Sequence, residues 1–289
     1  MRFLFLCFFL LLVSIVKAQQ LAQYNTGTLF DSFENPAQRA FIPDSSRQFA
    51  FNFFVPNTGA NSSFIGNGRQ SLLSLINHGT YNSSNLNNGL RSQNKLSLNS
   101  NTYWFMLKVF TRLNGDQEWG ISAQTKADGR GNFTDETLLL LDSYKNFDNE
   151  TNNANLFNGR LNGEAYHQFS LSFRKKVTPE LAFGVKLSAL LGVYYSQFSI
   201  DQSAFSIDKN STAASLFLQG NYTTTNLKQF AKSDLLGLKN PGAAITFGMQ
   251  AQLDNGILLQ ANVKDLGVIR WHKTSVIDFN GTETVDRIT

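Results

Sequence analysis

From Tyr166 to Tyr195 apolar and polar side chains alternate in steps of two. Phe169, Leu171 and Phe173 share one face, opposite Gln168, Ser170, Ser172 and Arg174. After a polar break at Lys176–Glu180 the pattern resumes. Leu181, Phe183, Val185, Leu187, Ala189, Leu191 and Val193 oppose Ala182, Gly184, Lys186, Ser188 and Gly192, with Leu190 the apolar exception. Successive side chains of a pleated strand point to opposite sides, so a period of two predicts strands. Two such runs about a short polar connection predict an antiparallel hairpin. Soluble strands average about five or six residues, and these are about twice as long. Roughly ten residues at about 3.3 Å each, tilted by about 40°, span about 25 Å, the height of the apolar band on an outer-membrane barrel. Tyr166, Tyr194 and Tyr195 fall at the strand ends, where an aromatic girdle would lie.

The same period recurs along the chain. Phe49, Phe51, Phe53 and Val55 alternate with Gln48, Ala50 and Asn52. Tyr103, Phe105, Leu107 and Val109 share one face of a further strand. Asn114-Gly115 is a hairpin turn signal. Trp119, Ile121 and Ala123 then alternate with Glu118, Gly120, Ser122 and Gln124. Ala214, Leu216 and Leu218 mark another strand. Ala243–Ala251 and Ile257–Val263 form a second hairpin about Asn255-Gly256, with Gln250, Gln260, Asn262 and Lys264 on its polar side. Helical patterns are short: Gln70–Asn77 ended by Gly79, a helix capped by Thr134 with Asp135 and Glu136 in its first turn, and Asn226–Leu236 stopped by Gly237. Asp128–Gly163 reads as a long polar surface loop. If the three tight turns lie on one side, an even number of strands must separate them. A crossing through Phe198–Ile207 would supply the missing one.

The ends set the compartment. Arg2, the apolar run Phe3–Val16 and the small Ala18 form a cleavable secretory signal over residues 1–18. No later run reaches the roughly twenty apolar residues of a spanning helix, so a membrane location would require a barrel. Cys7 leaves with the signal, which excludes disulfides and thiolate chemistry in the mature chain. Charged residues are 16% of the chain, below the roughly 25% of soluble domains. The net charge of +4 is scattered and leaves no nucleic-acid footprint. Asn-x-Ser/Thr sequons recur, as chance provides in so Asn-rich a chain. His78, His167 and His272 lack metal-ligand spacing, and the adjacent Asp135-Glu136 pair does not face one target. With no nucleophile elbow or phosphate loop, the reading is a non-enzyme without cofactor or metal.

Residues 19–46 are irregular and contain Asn35-Pro36-Ala37. This tripeptide resembles the hatch segment of FadL-like outer-membrane barrels. The longer runs Asp31–Gln38, Arg47–Phe54, Leu113–Glu118, Phe133–Thr137 and Val263–Gly267 are similar to an uncharacterised family of Bacteroidota outer-membrane barrels. The resemblance implies an all-β, antiparallel transmembrane barrel over residues 47–289, with a hatch-like segment before it and short helices in its loops. It implies the outer membrane as location. The implied partners are its lipid bilayer, the barrel-assembly machinery and envelope proteins. The FadL likeness adds a lumen for hydrophobic solutes. Gln168, Ser170, Ser172, Arg174, Lys186, Ser188, Gln250, Gln260, Asn262 and Lys264 are the lumen-facing candidates. The function expected is passive transport of small or hydrophobic solutes. The alternatives are an assembly barrel presenting its loops to secretion partners and a soluble secreted binding domain. The count of eight or nine strands and the polar, non-aromatic end at Thr289 give the expectation of an N-terminal part of a longer barrel.

Overall fold

The computed structural model describes residues 28–285 except 45, 148–153, 209–212, 226–238, 254–255 and 273. The expected signal and the helix over Asn226–Leu236 lie outside the described residues. After a short helix α1 (Leu29–Glu34) come β1 (Phe49–Ile65), α2 (Gly68–His78), β2 (Gln93–Phe110), β3 (Gln117–Thr134), α3 (Asp135–Asp142), β4 (Gly159–Lys176), β5 (Leu181–Asp208), β6 (Ala213–Thr224), β7 (Pro241–Gln252), β8 (Leu258–Ile269) and β9 (Ser275–Val285). All nine strands belong to one antiparallel sheet. The fold class is all-β. Among the described residues no ladder joins β1 to β8 or β9, so the sheet is open.

The sheet forks at β5, a strand of 28 residues. Leu181–Leu191 pair with β7, while Ser196–Asp208 pair with β6. β6 and β7 are therefore two halves of one return path and run in the same direction. This resolves the parity of the turns. Phe198–Ile207 is the continuation of β5, and the turns at Gly115, at 177–180 and at Gly256 all lie at one end. The fork is stitched by backbone bonds, from Gly192 N–H to Asn240 O at 2.8 Å and from Thr225 N–H to Tyr195 O at 3.0 Å, and by side chains beside them. Asn240 Nδ2 donates to the Gly192 carbonyl at 3.1 Å, and Tyr195 N–H donates to Thr225 Oγ1 at 3.0 Å. Trp271 stacks on Tyr195 with ring centroids 5.4 Å apart.

Three expectations change. β3 runs on to Thr134 and β4 begins at Gly159, so both ends of the expected loop over Asp128–Gly163 are strand. Asn280-Gly281 lies within β9. Tyr103 and Tyr166, expected on the apolar face, are buried on the opposite one. For Tyr103 the reversal stems from the register break at Tyr103/Phe105 between β2 and β3, whereas Tyr166 stays in phase with Gln168, Ser170 and Ser172 and is buried by plain alternation. A bulge adds one residue and inverts the facing of everything beyond it.

The helices form where their caps allow. Thr28 accepts from Asp31 N–H and starts α1. Asn35 ends it in extended conformation, because Pro36 disfavours the helical region before it. Thr134 caps α3 as its sequence predicts, and Gly79 (φ 67°) closes α2. Beyond the strands, Leu139, Phe147, Leu156, Phe157 and Phe205 form a small apolar core under the loops. Asp135 organises these loops. Its carboxylate accepts from Asn94 Nδ2 at 2.7 Å, Asn67 Nδ2 at 2.8 Å and Asn87 N–H at 3.0 Å. Glu136 accepts from Arg91 N–H at 2.8 Å. The two acids thus bind separate loop strands and share no target.

Candidate functional site

The two faces of the sheet have inverted polarity. Along β5, Ala182, Gly184, Lys186, Ser188 and Leu190 are buried, while Phe183, Leu187 and Ala189 are exposed. The same holds across the register. Ile121, Phe169, Leu171, Phe247, Met249 and Val263 are exposed on the convex face. Where Ala123, Ala189 and Ala243 interrupt that face, an apolar hollow of about 630 Å³ opens beside Phe105 and Phe169.

The concave face holds charges. Lys126 on β3 pairs with Asp265 on β8, four strand steps away along the β3-β4-β5-β7-β8 path. In a flat sheet those strands would be about 19 Å apart at the usual 4.8 Å spacing, so the sheet must curl to bring them together. Lys186 lies 3.4 Å from the other oxygen of Asp265, which also accepts from Gln168 at 2.9 Å. Lys108 and Glu118 form an ion contact at 2.8 Å with both side chains fully buried. Gln168 further donates to Ser188, and Ser170 bonds Ser188 at 2.9 Å. Leu190, the apolar exception, packs with Tyr166, Ala244 and Ile269 in a small apolar patch within this polar face.

Across this face lies the N-terminal segment. Residues 31–38 are buried without a break. The Asn35 carbonyl oxygen Oδ1 accepts from Ala37 N–H at 3.1 Å and fixes the turn around Pro36. That turn rests on the register pair Gly184 and Gly248. A Cβ at Gly184 would collide with the Pro36 carbonyl, and one at Gly248 would meet Asn35 and come within 2.9 Å of Ala37 N. Arg174 Nε donates to Ala37 O at 2.7 Å and its Nη1 to Gly115 O at 3.0 Å. Lys186 Nζ donates to Phe33 O and Asn262 Nδ2 to Glu34 O, both at 3.2 Å. Ala40 N–H donates to Glu118 at 3.1 Å, and Lys108 sits over the Phe33 ring, 4.7 Å from its centre.

Glu34 is the most heavily engaged residue of the segment. Its carboxylate accepts from Tyr103 OH at 2.6 Å and Asn101 Nδ2 at 3.4 Å and pairs with Lys264. Burial opposes its charge, but Lys264, Lys186 and Lys126 outweigh that cost and hold its carboxyl below the usual carboxylate range.

All ten lumen-facing candidates lie on the concave side of their ladders. Gln168, Ser170, Ser172, Arg174, Lys186 and Ser188 are buried there. Asn262 and Lys264 reach the segment from β8, while Gln250 and Gln260 form a register pair. Asn35, Pro36 and Ala37 meet them. Sequence reasoning missed Lys108, Glu118, Lys126, Tyr103 and Asp265. Alternation alone puts Asp265 outward. A bulge opposes both Lys264 and Asp265 to Thr246, and Asp265 takes φ 50° to turn inward. Two successive charges in an otherwise alternating strand were the available signal.

These features define an antiparallel β protein with a charged concave wall wrapped around its own N-terminal segment. The chain belongs to a family of unknown function, DUF5723, whose model matches residues 40–289. No curated protein and no solved structure matches it.

Proposed function

We propose that this chain forms an outer-membrane β-barrel whose N-terminal segment plugs the interior, and that displacing the plug allows passive passage of small solutes. One observation carries the reading: charged side chains are buried on the concave wall while large apolar ones cover the convex face. In water this order costs free energy on both faces. In a bilayer it is the stable order, with apolar positions out and polar positions in. The secretory signal and the likeness to Bacteroidota and FadL-like barrels support the same reading. The plug is held chiefly by hydrogen bonds to polar wall groups, contacts that water or solute can replace. Conductance in planar bilayers tests it. The wild-type protein should open rarely, and Gly248→Val, which evicts the Asn35–Ala37 turn, should give stable steps. Recovery as a soluble periplasmic protein would sink the membrane claim, and a silent Gly248→Val protein that still shows a heat-modifiable band would sink the transport claim.

A second reading, an assembly barrel presenting its loops, draws support from the apolar loop core around Phe147 and Phe205 and from the tying of the loops by Asp135. Co-purification of other envelope proteins with a silent barrel would favour it.

A further inference from the structure

Between the tight turns and the rung of Lys126, the described wall carries Lys108, Lys126, Arg174, Lys186 and Lys264 but only two carboxylates, Glu118 and Asp265. Those two are engaged by Lys108, Lys126 and Lys186. The remaining positive charge is met by oxygens of the N-terminal segment. Lys264, Tyr103 and Asn101 close on the Glu34 carboxylate from β8 and β2. Arg174, Lys186 and Asn262 donate to backbone carbonyls of Ala37, Phe33 and Glu34. If the segment left, Lys264, Tyr103, Asn101 and Asn262 would lose these acceptors, while Arg174 and Lys186 would keep Gly115 O and Asp265; for the buried Tyr103 and Asn101 that loss is costly.

We propose that this wall is a binding site for a small organic carboxylate, and that Glu34 with its flanking carbonyls occupies it in cis as an internal stand-in for that ligand. The proposal rests on the reading of the segment as a displaceable plug. The chemistry of the ligand is that of the group already bound. A planar carboxylate takes the Lys264 ammonium, the Tyr103 hydroxyl and the Asn101 amide. A second carboxylate, or a carbonyl a few bonds away, meets Lys186 and Arg174. The Glu34 carboxylate and the Phe33 carbonyl, which Lys264 and Lys186 hold, lie a few covalent bonds apart, the reach of a short dicarboxylate. A neutral solute would leave Lys264 and Arg174 unpaired in the wall.

The test is binding of glutarate to the purified full chain in detergent, with the neutral diamide of glutarate as control. Because the segment competes, the wild-type protein should bind weakly, the apparent affinity falling by the fraction of open sites. Glu34→Gln should bind glutarate about tenfold more tightly or better, and the diamide no better than wild type. Adding Lys264→Gln should return binding to the wild-type level or below. A peptide of residues 29–40 should compete with glutarate. In the wild-type protein, excess glutarate should expose the segment to protease, a readout that needs no variant to fold. Equal glutarate binding by wild type and Glu34→Gln, or a segment whose cleavage glutarate never changes, overturns the proposal. Failure here is distinct from failure of the transport reading. Binding in detergent without conductance leaves the site standing, and conductance without glutarate binding removes the site alone.

Discussion

Lys186 and Leu187 are neighbours on β5, yet Lys186 is 0% exposed and Leu187 is 53% exposed. If the convex face meets lipid, Leu187→Arg should cost about 2–4 kcal/mol near the bilayer midplane, read by urea unfolding in lipid vesicles. Leu187→Val should be nearly neutral there. A loss of only a few tenths for the arginine would mean that the face does not meet hydrocarbon. Ser188→Arg, which alternation alone predicts to be mild, is not a suitable control. Ser188 is buried against Gln168 and Ser170 and has no room for a long side chain.

Lys108→Met should be among the more damaging single changes. It leaves Glu118 charged and fully buried, a loss of about 3–5 kcal/mol. The double variant Lys108→Met/Glu118→Leu removes both charges and should recover most of that, short of the hydrogen bond that Glu118 accepts from Ala40. Denaturant midpoints of the two variants decide it. Equal losses would show that the pair carries no shared desolvation cost.

Docking of the segment should depend on pH through Glu34. Its carboxyl lies below its ordinary range in the docked state, so docking gains stability above the free value of about 4.3. That gain is lost as the pH falls through the docked-state value. The groups facing it are Tyr103, Asn101, Lys264 and, further off, Lys186 and Lys126. Pepsin cleavage within residues 28–40 should therefore rise on acidification from pH 5 to 3. Glu34→Gln should flatten that rise, and an unchanged profile in the variant would assign the step to another group.

Asp135→Ala should loosen the loops without touching the wall. It strands three donors, from Asn94, Asn67 and Asn87, of which Asn94 is buried and costs about 1–3 kcal/mol when unsatisfied. Hydrogen exchange should accelerate over 67–90 while the ladder of β4 with β5 keeps its protection. Uniform acceleration across the sheet would mean that Asp135 supports the whole fold.

The apolar belt was legible in the sequence because alternation there is strict, as in Leu181–Leu191. The tight turns and the cap at Thr134 were legible from local chemistry. The extensions of β1 to β4 were not. Asn57–Ser63, Gln93–Thr102 and Thr125–Asn132 are Asn-, Ser-, Thr- and Gly-rich, with too little apolar contrast to show a period of two. The site was half legible. Arg174, Lys186 and Lys264 follow from alternation, but Tyr103 and Asp265 turn inward at bulges, which depend on the neighbouring strand. Glu34 gave no signal, since its partners on β2 and β8 are far away in sequence.

The fork at β5 separates two problems that most strands solve together. Thr225 and Asn240 are each anchored to β5 directly, one to Tyr195 and the other to Gly192. The register of β6 is set above that point and the register of β7 below it. The number of residues between the two anchors is therefore uncoupled from the facing of every side chain on either half. One residue inserted beside Trp104 would turn a whole ladder inside out, whereas many inserted between Thr225 and Asn240 would leave both halves aligned. The chain thus has a splice point in mid-sheet, where sequence can be gained or lost over descent without disturbing the wall that holds the segment.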